Sequence, residues 1–224
     1  MVFSKIELDR TSARVGEIFH LTRSDGYQDH RLVWSLFADG PERQRDFIYR
    51  RETWQGWPVY YTVSARVPAD TTGKWRIYSK PYRPNLRAGD ILYFSLRVNP
   101  VRTRNDPQKG HHRHDVVMDA KRRLRGDGRS KALPRITEIM QEEGVAWLES
   151  RCVQHGFNIQ KSDIFADGYR QHVLYKKNNK ISFSTLDFNG ILRITDAELF
   201  VNALYRGVGP AKSFGCGLMM VKRR

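Results

Sequence analysis

The chain has 224 residues, with 39 Lys plus Arg against 24 Asp plus Glu, a formal charge of +15. A surplus of that size excludes an average metabolic enzyme and points to a polyanionic partner. Hydrophobic content of 40% and aromatic content of 12% exclude a disordered basic tail, because there is enough apolar matter for a core, in one large domain or two of about 100 residues each.

Two cysteines, Cys152 and Cys216, allow at most one disulfide and form no C-x-x-C pair. A thiolate zinc site is not expected, and the usage suits a reducing, cytoplasmic compartment. No apolar run approaches a membrane span. Residues 1–8 alternate polar and apolar side chains and read as a strand, not a signal peptide.

In chain order, residues 3–8 form a first strand. Residues 27–38 read as a helix, with Leu32, Val33, Leu36 and Phe37 at helical spacing and Asp39-Gly40-Pro41 as the stop. Residues 45–53 and 58–67 read as two strands turning at Gln55-Gly56-Trp57-Pro58, and 75–78 as another. Turn-formers crowd 68–90 and close a first unit, 1–88. The second unit, 89–224, opens with a strand at 91–98. Arg97 to Arg135 then hold twelve Lys/Arg against four Asp with little periodicity, so 99–135 is expected to be an irregular, mobile basic insertion. Helical spacing resumes at 136–152. Strands follow at 157–165, 171–177 and 181–194, with Asn178-Asn179 as a hairpin tip. Asp196 caps a helix to about Tyr205, and a Gly-rich loop at 207–217 leads to a strand at 218–222. The fold class is α+β: two tandem ferredoxin-like βαββαβ units, with no clear pattern for the second helix of the first unit. Tyr93 and Phe94 read as core.

Gly207, Gly209, Gly215 and Gly217 bracket Lys212-Ser213. The loop follows a helix and contains no Gly-Lys-Ser/Thr, so it is neither a dinucleotide fingerprint nor a Walker loop. Two readings fit: a phosphate cradle of backbone N–H groups, ammonium and hydroxyl, or a helix C-cap followed by a tight turn. His111-His112-Arg113-His114 lacks carboxylate or thiolate support for a metal and fits a basic loop. With Arg102, Arg104 and Lys121, the insertion suits a clamp on nucleic-acid backbone. Lys176, Lys177 and Lys180 at the hairpin tip form a second basic element whose contacts to RNA would fall on phosphates, or an ordinary polar turn. Asp115 and Asp119 stand at i, i+4 among basic neighbours and suit ion pairs more than a two-metal nuclease.

His30 and Tyr27 lie three apart on the first helix and so share a face. His30 is either a packed edge-of-core histidine or a proton-transfer group. RNA carries its own nucleophile, the 2′-hydroxyl, and an imidazole with a reference pKa near 6.5 can deprotonate it or protonate the leaving 5′-oxygen. Arg31 or Lys212 could stabilise charge developing on the phosphate. His20 is an alternative whose neighbours Phe19 and Leu21 favour packing.

The run Tyr27-Gln28-Asp29-His30-Arg31-Leu32-Val33-Trp34-Ser35-Leu36-Phe37, the segments Arg97–Thr103 and His114–Lys121, and above all Gly207–Gly217 resemble, in this order and over nearly the whole length, the CasE/Cse family of type I-E CRISPR repeat-processing endoribonucleases. The resemblance implies two ferredoxin-like (RRM-related) domains and cleavage without metal or cofactor at the 3′ base of a CRISPR repeat stem-loop. It implies retention of the product crRNA and assembly into Cascade with other subunits. His30 would be the catalytic histidine and Tyr27 its helper. Lys176, Lys177 and Lys180 would correspond to the family's basic hairpin in the stem groove, and this chain's own pattern adds Arg31, Arg102, Arg104, Lys121, Gly209, Lys212 and Ser213 as expected RNA contacts. The rival reading is a non-catalytic RNA-binding or ribonucleoprotein-assembly module that uses the same basic surfaces.

Overall fold

The computed structural model describes residues 1–11, 26–37, 45–106, 110–126, 135–176 and 179–224, the side chains of 26, 27, 104–106, 110, 111, 126 and 176 excepted. His20, Lys177 and Asn178 lie outside the described residues, as do the side chains of Tyr27, Arg104, His111 and Lys176.

Two four-stranded antiparallel sheets make two bodies. The first joins β1 (Val2–Leu8), β2 (Phe47–Trp54), β3 (Trp57–Ser64) and β4 (Trp75–Pro81) in the order β2-β3-β1-β4. The second joins β5 (Ile91–Val98), β8 (Phe157–Lys176), β9 (Asn179–Ile194) and β10 (Met219–Arg223) in the order β10-β5-β9-β8. Matched by position in their units, the two orders are the same, and both are ferredoxin-like. β2 turns into β3 at Gln55 and Gly56, both with positive φ, so Trp57 and Pro58 belong to the strand and not to the turn.

The helices are α1 (Gly26–Ser35), α2 (Val116–Gly126), α3 (Ile136–Cys152) and α4 (Ala197–Arg206). α1 sits between β1 and β2. It packs Val33, with Leu36 and Phe37 just beyond its end, on Ile6, Phe47, Tyr49 and Tyr60 of the first sheet. The stretch 65–74 between β3 and β4 holds no helix, so the first unit goes without the second helix of its fold. Asp196 caps α4 as expected, its carboxylate accepting from the Leu199 N–H at 3.0 Å. α3 places Trp147, fully buried, parallel to Phe188 of β9, with its indole N–H donating to the Val101 carbonyl at 2.9 Å.

The insertion 99–135 departs from expectation. It contains a hairpin, β6 (Val101–Asp106) and β7 (Gly110–Asp115), and then α2. Backbone pairing orders the hairpin without apolar alternation. Val116, Val117 and Ala120 are buried in the second core, an apolar stripe that the surrounding Arg and Lys hide in a composition count. Asp115 accepts from the Met118 N–H at 2.8 Å at the start of α2, and Asp119 pairs with Arg123 at 3.6 Å, so both acids are structural. Phe94 is core, but Tyr93 is 45% exposed, because strand alternation turns it to the helix-free face. Both cysteines are free and buried, and burial pushes each thiol up to about 12. Among the described residues no helix is long and apolar enough to cross a membrane.

The two bodies meet at Ile48, Val63 and Leu218, with Phe3, Tyr82, Tyr205 and Met220 packed around them. The Tyr205 hydroxyl donates to the Tyr82 carbonyl at 3.0 Å.

Candidate functional site

α1 turns Val33 inward and leaves Gln28, Arg31 and Ser35 exposed, with His30 half-buried between. The His30 ring lies 5.5 Å from the Trp34 ring one turn later. The preceding residue, Asp29, is a buried carboxylate that accepts from the Tyr60 hydroxyl at 2.6 Å and lies 3.6 Å from the Arg51 guanidinium. A buried carboxylate needs such partners, so α1 is anchored to β3 and β2 right beside His30.

Of the two readings of the Gly-rich loop, the structure shows the helix cap followed by a tight turn. Gly207, with positive φ, donates its N–H to the Ala203 carbonyl at 2.8 Å and ends α4 as a C-cap. Lys212–Phe214 then make a 3-10 turn that packs against α1. Gly215 follows with φ of 78°, and a Cβ there would stand 3.3 Å from the Tyr49 ring, so glycine lets the loop lie on β2 without strain. Tyr49 donates its hydroxyl to the Ser213 carbonyl at 3.0 Å, and Arg45 donates to the Ser213 hydroxyl at 2.6 Å. Burial, then the Asp29 carboxylate, push the Tyr49 phenol well above its ordinary range and keep it a donor.

Burial, then Arg45 and Arg206, hold the Lys212 ammonium below its ordinary range. Like charges gathered on a half-buried lysine favour a bound polyanion, which would relieve their repulsion. Beside this turn a cleft of about 600 Å³ is lined by Arg45, Arg113, Ser182, Gly209, Lys212 and Ser213, among others. A second cleft of about 620 Å³ adjoins it and is lined by Asp29, Arg51, Arg97, Arg170 and His172, among others. Gln171, Phe183 and Phe214 line both. Between them His172, Phe183 and Phe214 stack in series, each ring pair 4.7 Å apart. Burial, then Arg170 and Arg97, keep the His172 imidazole below its usual pKa.

One ionic chain ties the bodies across this second cleft. Arg97 grips Asp187 of β9 with two bonds of 2.7 and 2.8 Å and donates to the Arg51 carbonyl at 2.8 Å. The Arg51 side chain in turn faces Asp29.

Gly209, Lys212 and Ser213 line the first cleft together, and the helix that carries His30 and Arg31 packs against the Lys212–Phe214 turn, while neither of those two side chains lines either cleft. Lys180 is exposed further out on the β8–β9 hairpin. Arg102 turns to Glu143 at 3.8 Å and Lys121 sits on α2, so neither lines the clefts. Sequence reading passed over Arg45, Arg51, Asp29, Arg170 and His172. The alternation Arg170-Gln171-His172 on a strand was the one available signal, because it sets the cation and the imidazole on one face. Among the described residues no three His, Cys, Asp or Glu side chains converge as a metal site would require.

Two ferredoxin-like sheets with a cationic double cleft between them, and a histidine-bearing helix at its wall, define the class. A family model described as CRISPR associated protein matches residues 1–223, and the chain belongs to that family, in its CasE/Cse3 branch. It is 31% identical over 198 residues to the CRISPR system Cascade subunit CasE of Escherichia coli, covering 87% of this chain and 90% of that one. It is 29% identical over 212 residues to the CRISPR-associated endoribonuclease Cse3 of Thermus thermophilus, covering 87% and 89%. The fold matches the crystal structure of Cas6e from Escherichia coli with a TM-score of 0.66 at 25% identity over the whole of both chains. It matches CRISPR endoribonuclease Cse3 bound to a 19-nucleotide RNA with a TM-score of 0.72, covering 99% and 100% of the two chains at 24% identity.

Proposed function

We propose that this protein is an endoribonuclease that binds the stem-loop of a CRISPR repeat transcript. It cuts at the 3′ base of the stem, keeps the crRNA and joins a Cascade complex. Family membership and the endoribonuclease named among its relatives support the class of activity. The observation that carries the chemistry is the packing of the His30 helix against the Lys212–Phe214 turn, where Lys212 stands among Arg45 and Arg206.

An imidazole edge beside a cluster of cations is what a phosphodiester needs in order to be broken by its own ribose. The 2′-oxygen attacks the adjacent phosphorus and loses its proton. The 5′-oxygen leaves and gains one. His30 carries one of these transfers, with Tyr27 as helper. Lys212, Arg31 and Arg45 offset the charge that builds on the non-bridging oxygens. The products are a 2′,3′-cyclic phosphate and a 5′-hydroxyl, and no step calls for a metal. Lys176, Lys177 and Lys180 hold the stem by its phosphates, with Arg102, Arg104 and Lys121 as further backbone contacts.

The test is a repeat hairpin incubated with protein in excess chelator, with both product ends analysed. Cyclic-phosphate and 5′-hydroxyl ends are expected, and a 2′-deoxy substitution at the cut site should abolish cleavage while binding stays nearly unchanged. Loss of cleavage in chelator would overturn the metal-independent chemistry. Binding without any cleavage would favour the assembly-module reading.

A further inference from the structure

The first sheet has a face that the proposed chemistry does not use. α1 covers the side carrying Ile6, Phe47, Tyr49 and Tyr60. Strand alternation puts their neighbours on the helix-free side: Lys5 and Glu7 on β1, Trp57, Val59 and Tyr61 on β3, Trp54 on β2, and Arg76, Tyr78 and Lys80 on β4. The second body covers one end of this side, at Ile48, Val63 and Phe3. The other end is open. Trp54 is 65% exposed and Tyr78 55%.

At the open end Trp54 and Trp57 stand directly opposite each other across the β2–β3 turn. With Lys5, Arg10, Arg76 and Val59 they border a recess of about 400 Å³. Cations ride on the rings of this side: the Arg10 guanidinium lies 5.4 Å from the Trp57 ring centre, the Lys5 ammonium 5.8 Å from Tyr78, and the Lys80 ammonium 5.9 Å from Phe3. The acids on this side are held by neighbours, Glu7 by Lys5 at 2.6 Å, Asp9 by Arg76 at 2.9 Å and Glu52 by Arg50.

We infer that this open end binds single-stranded RNA, with bases stacked on Trp54 and Tyr78 and phosphates met by Lys5, Arg10 and Arg76. Aromatic faces interleaved with cations are the recurring solution for unpaired nucleic acid, because every base offers a π-face and every linkage a charge. A duplex would conceal its bases from these rings, so the occupant is an unpaired stretch flanking the stem. The inference rests on the RNA reading above and assigns it a second, non-catalytic contact.

The experiment compares a repeat hairpin with and without a 5′ extension of about eight uridines, and oligouridine of the same length alone, on the wild-type chain. The extension should tighten binding, and oligouridine alone should quench tryptophan fluorescence. Trp54→Ala and, separately, Tyr78→Ala should lose on the order of tenfold of that added affinity while cutting the bare hairpin at the wild-type rate and unfolding at the wild-type temperature. An extension that adds no affinity, or variants that keep the gain, overturns the inference. Loss of association with other Cascade subunits while oligouridine binding stays intact also overturns it, since the face is then a protein interface. If the bare hairpin is neither bound nor cut, the processing reading fails by itself, and the oligouridine arm still decides this one.

Discussion

The two bodies share one strand order and differ in what they wrap around it. The second carries α2, α3 and α4 on its sheet and a large core built around Trp147 and Phe188. Among its described residues the first carries α1 over a small core, and the segment where a second helix belongs is helix-free. Yet the helix that bears His30 belongs to the lighter body, and the Lys212–Phe214 turn packed against it belongs to the heavier. The acid–base role proposed for His30 requires that something fix its position on this lightly built unit. Here that is the Asp29–Tyr60 bond, the Arg51–Asp29 pair and the Arg97 bridge. The first two of these anchors lie within the lighter body, and Arg97 reaches across from the heavier one.

The sharpest way to separate the two roles is His30→Ala. It should lower the cleavage rate by about two to four powers of ten with little change in hairpin affinity. Single-turnover rates and a binding titration on the same preparation check it. A matching loss of affinity would make His30 a part of the fold instead.

The bridge between the bodies comes next. Arg97→Met removes both bonds to Asp187 and the bond to the Arg51 carbonyl, leaving a half-buried carboxylate without its fork. That should cost about 2 kcal/mol of stability, read as a lower urea midpoint. The cleavage rate should fall further than hairpin affinity, because α1 loses its tie to the hairpin. Unchanged midpoint and rate together would show that the Ile48–Val63–Leu218 contact and the Tyr49 and Arg45 bonds to Ser213 hold the bodies without Arg97.

Lys212→Ala addresses the loop. It should flatten the log–log salt dependence of hairpin binding by about one unit, the signature of one lost phosphate contact. An unchanged slope would place Lys212 off the RNA path.

How much of this was legible depends on how local the signal is. α1, β5, α3 and α4 announce themselves through periodicity, with Asp196 as a side-chain cap, and the Gly-rich loop stands out by composition alone. The β6–β7 hairpin does not, because its order comes from backbone pairing while its side chains read as a charge run. Val116, Val117 and Ala120 are three apolar positions lost among arginines. The anchoring residues were less legible still. Asp29 and Tyr60 are 31 residues apart, and Arg97 and Arg51 are 46 apart, so nothing in either neighbourhood names the partner. His30 could be singled out as a candidate because its chemistry is local, but what holds it is not.

The smallest expected effect concerns pH, and it too divides the bodies. His172 and His155 both belong to the heavier one. Burial, then Arg170 and Arg97, depress the first. Burial, then Lys212 and Arg151, depress the second. Each therefore protonates less readily when folded than at its ordinary value of 6.5. As pH falls through that value the unfolded chain takes up more protons than the folded one, so these two groups lower stability below about pH 6.5. Bound phosphate works against this loss, since it favours the imidazolium and offsets Arg170, Lys212 and Arg151. Urea unfolding at about pH 5.5 and about pH 7.5 should show an acid-side loss for the free protein and a smaller loss with hairpin bound. Replacing both histidines by Gln should flatten the two profiles together. If the acid-side loss survives that replacement, the titrating groups lie elsewhere, and the cationic surroundings of His172 and His155 do not govern how the heavier body responds to protons.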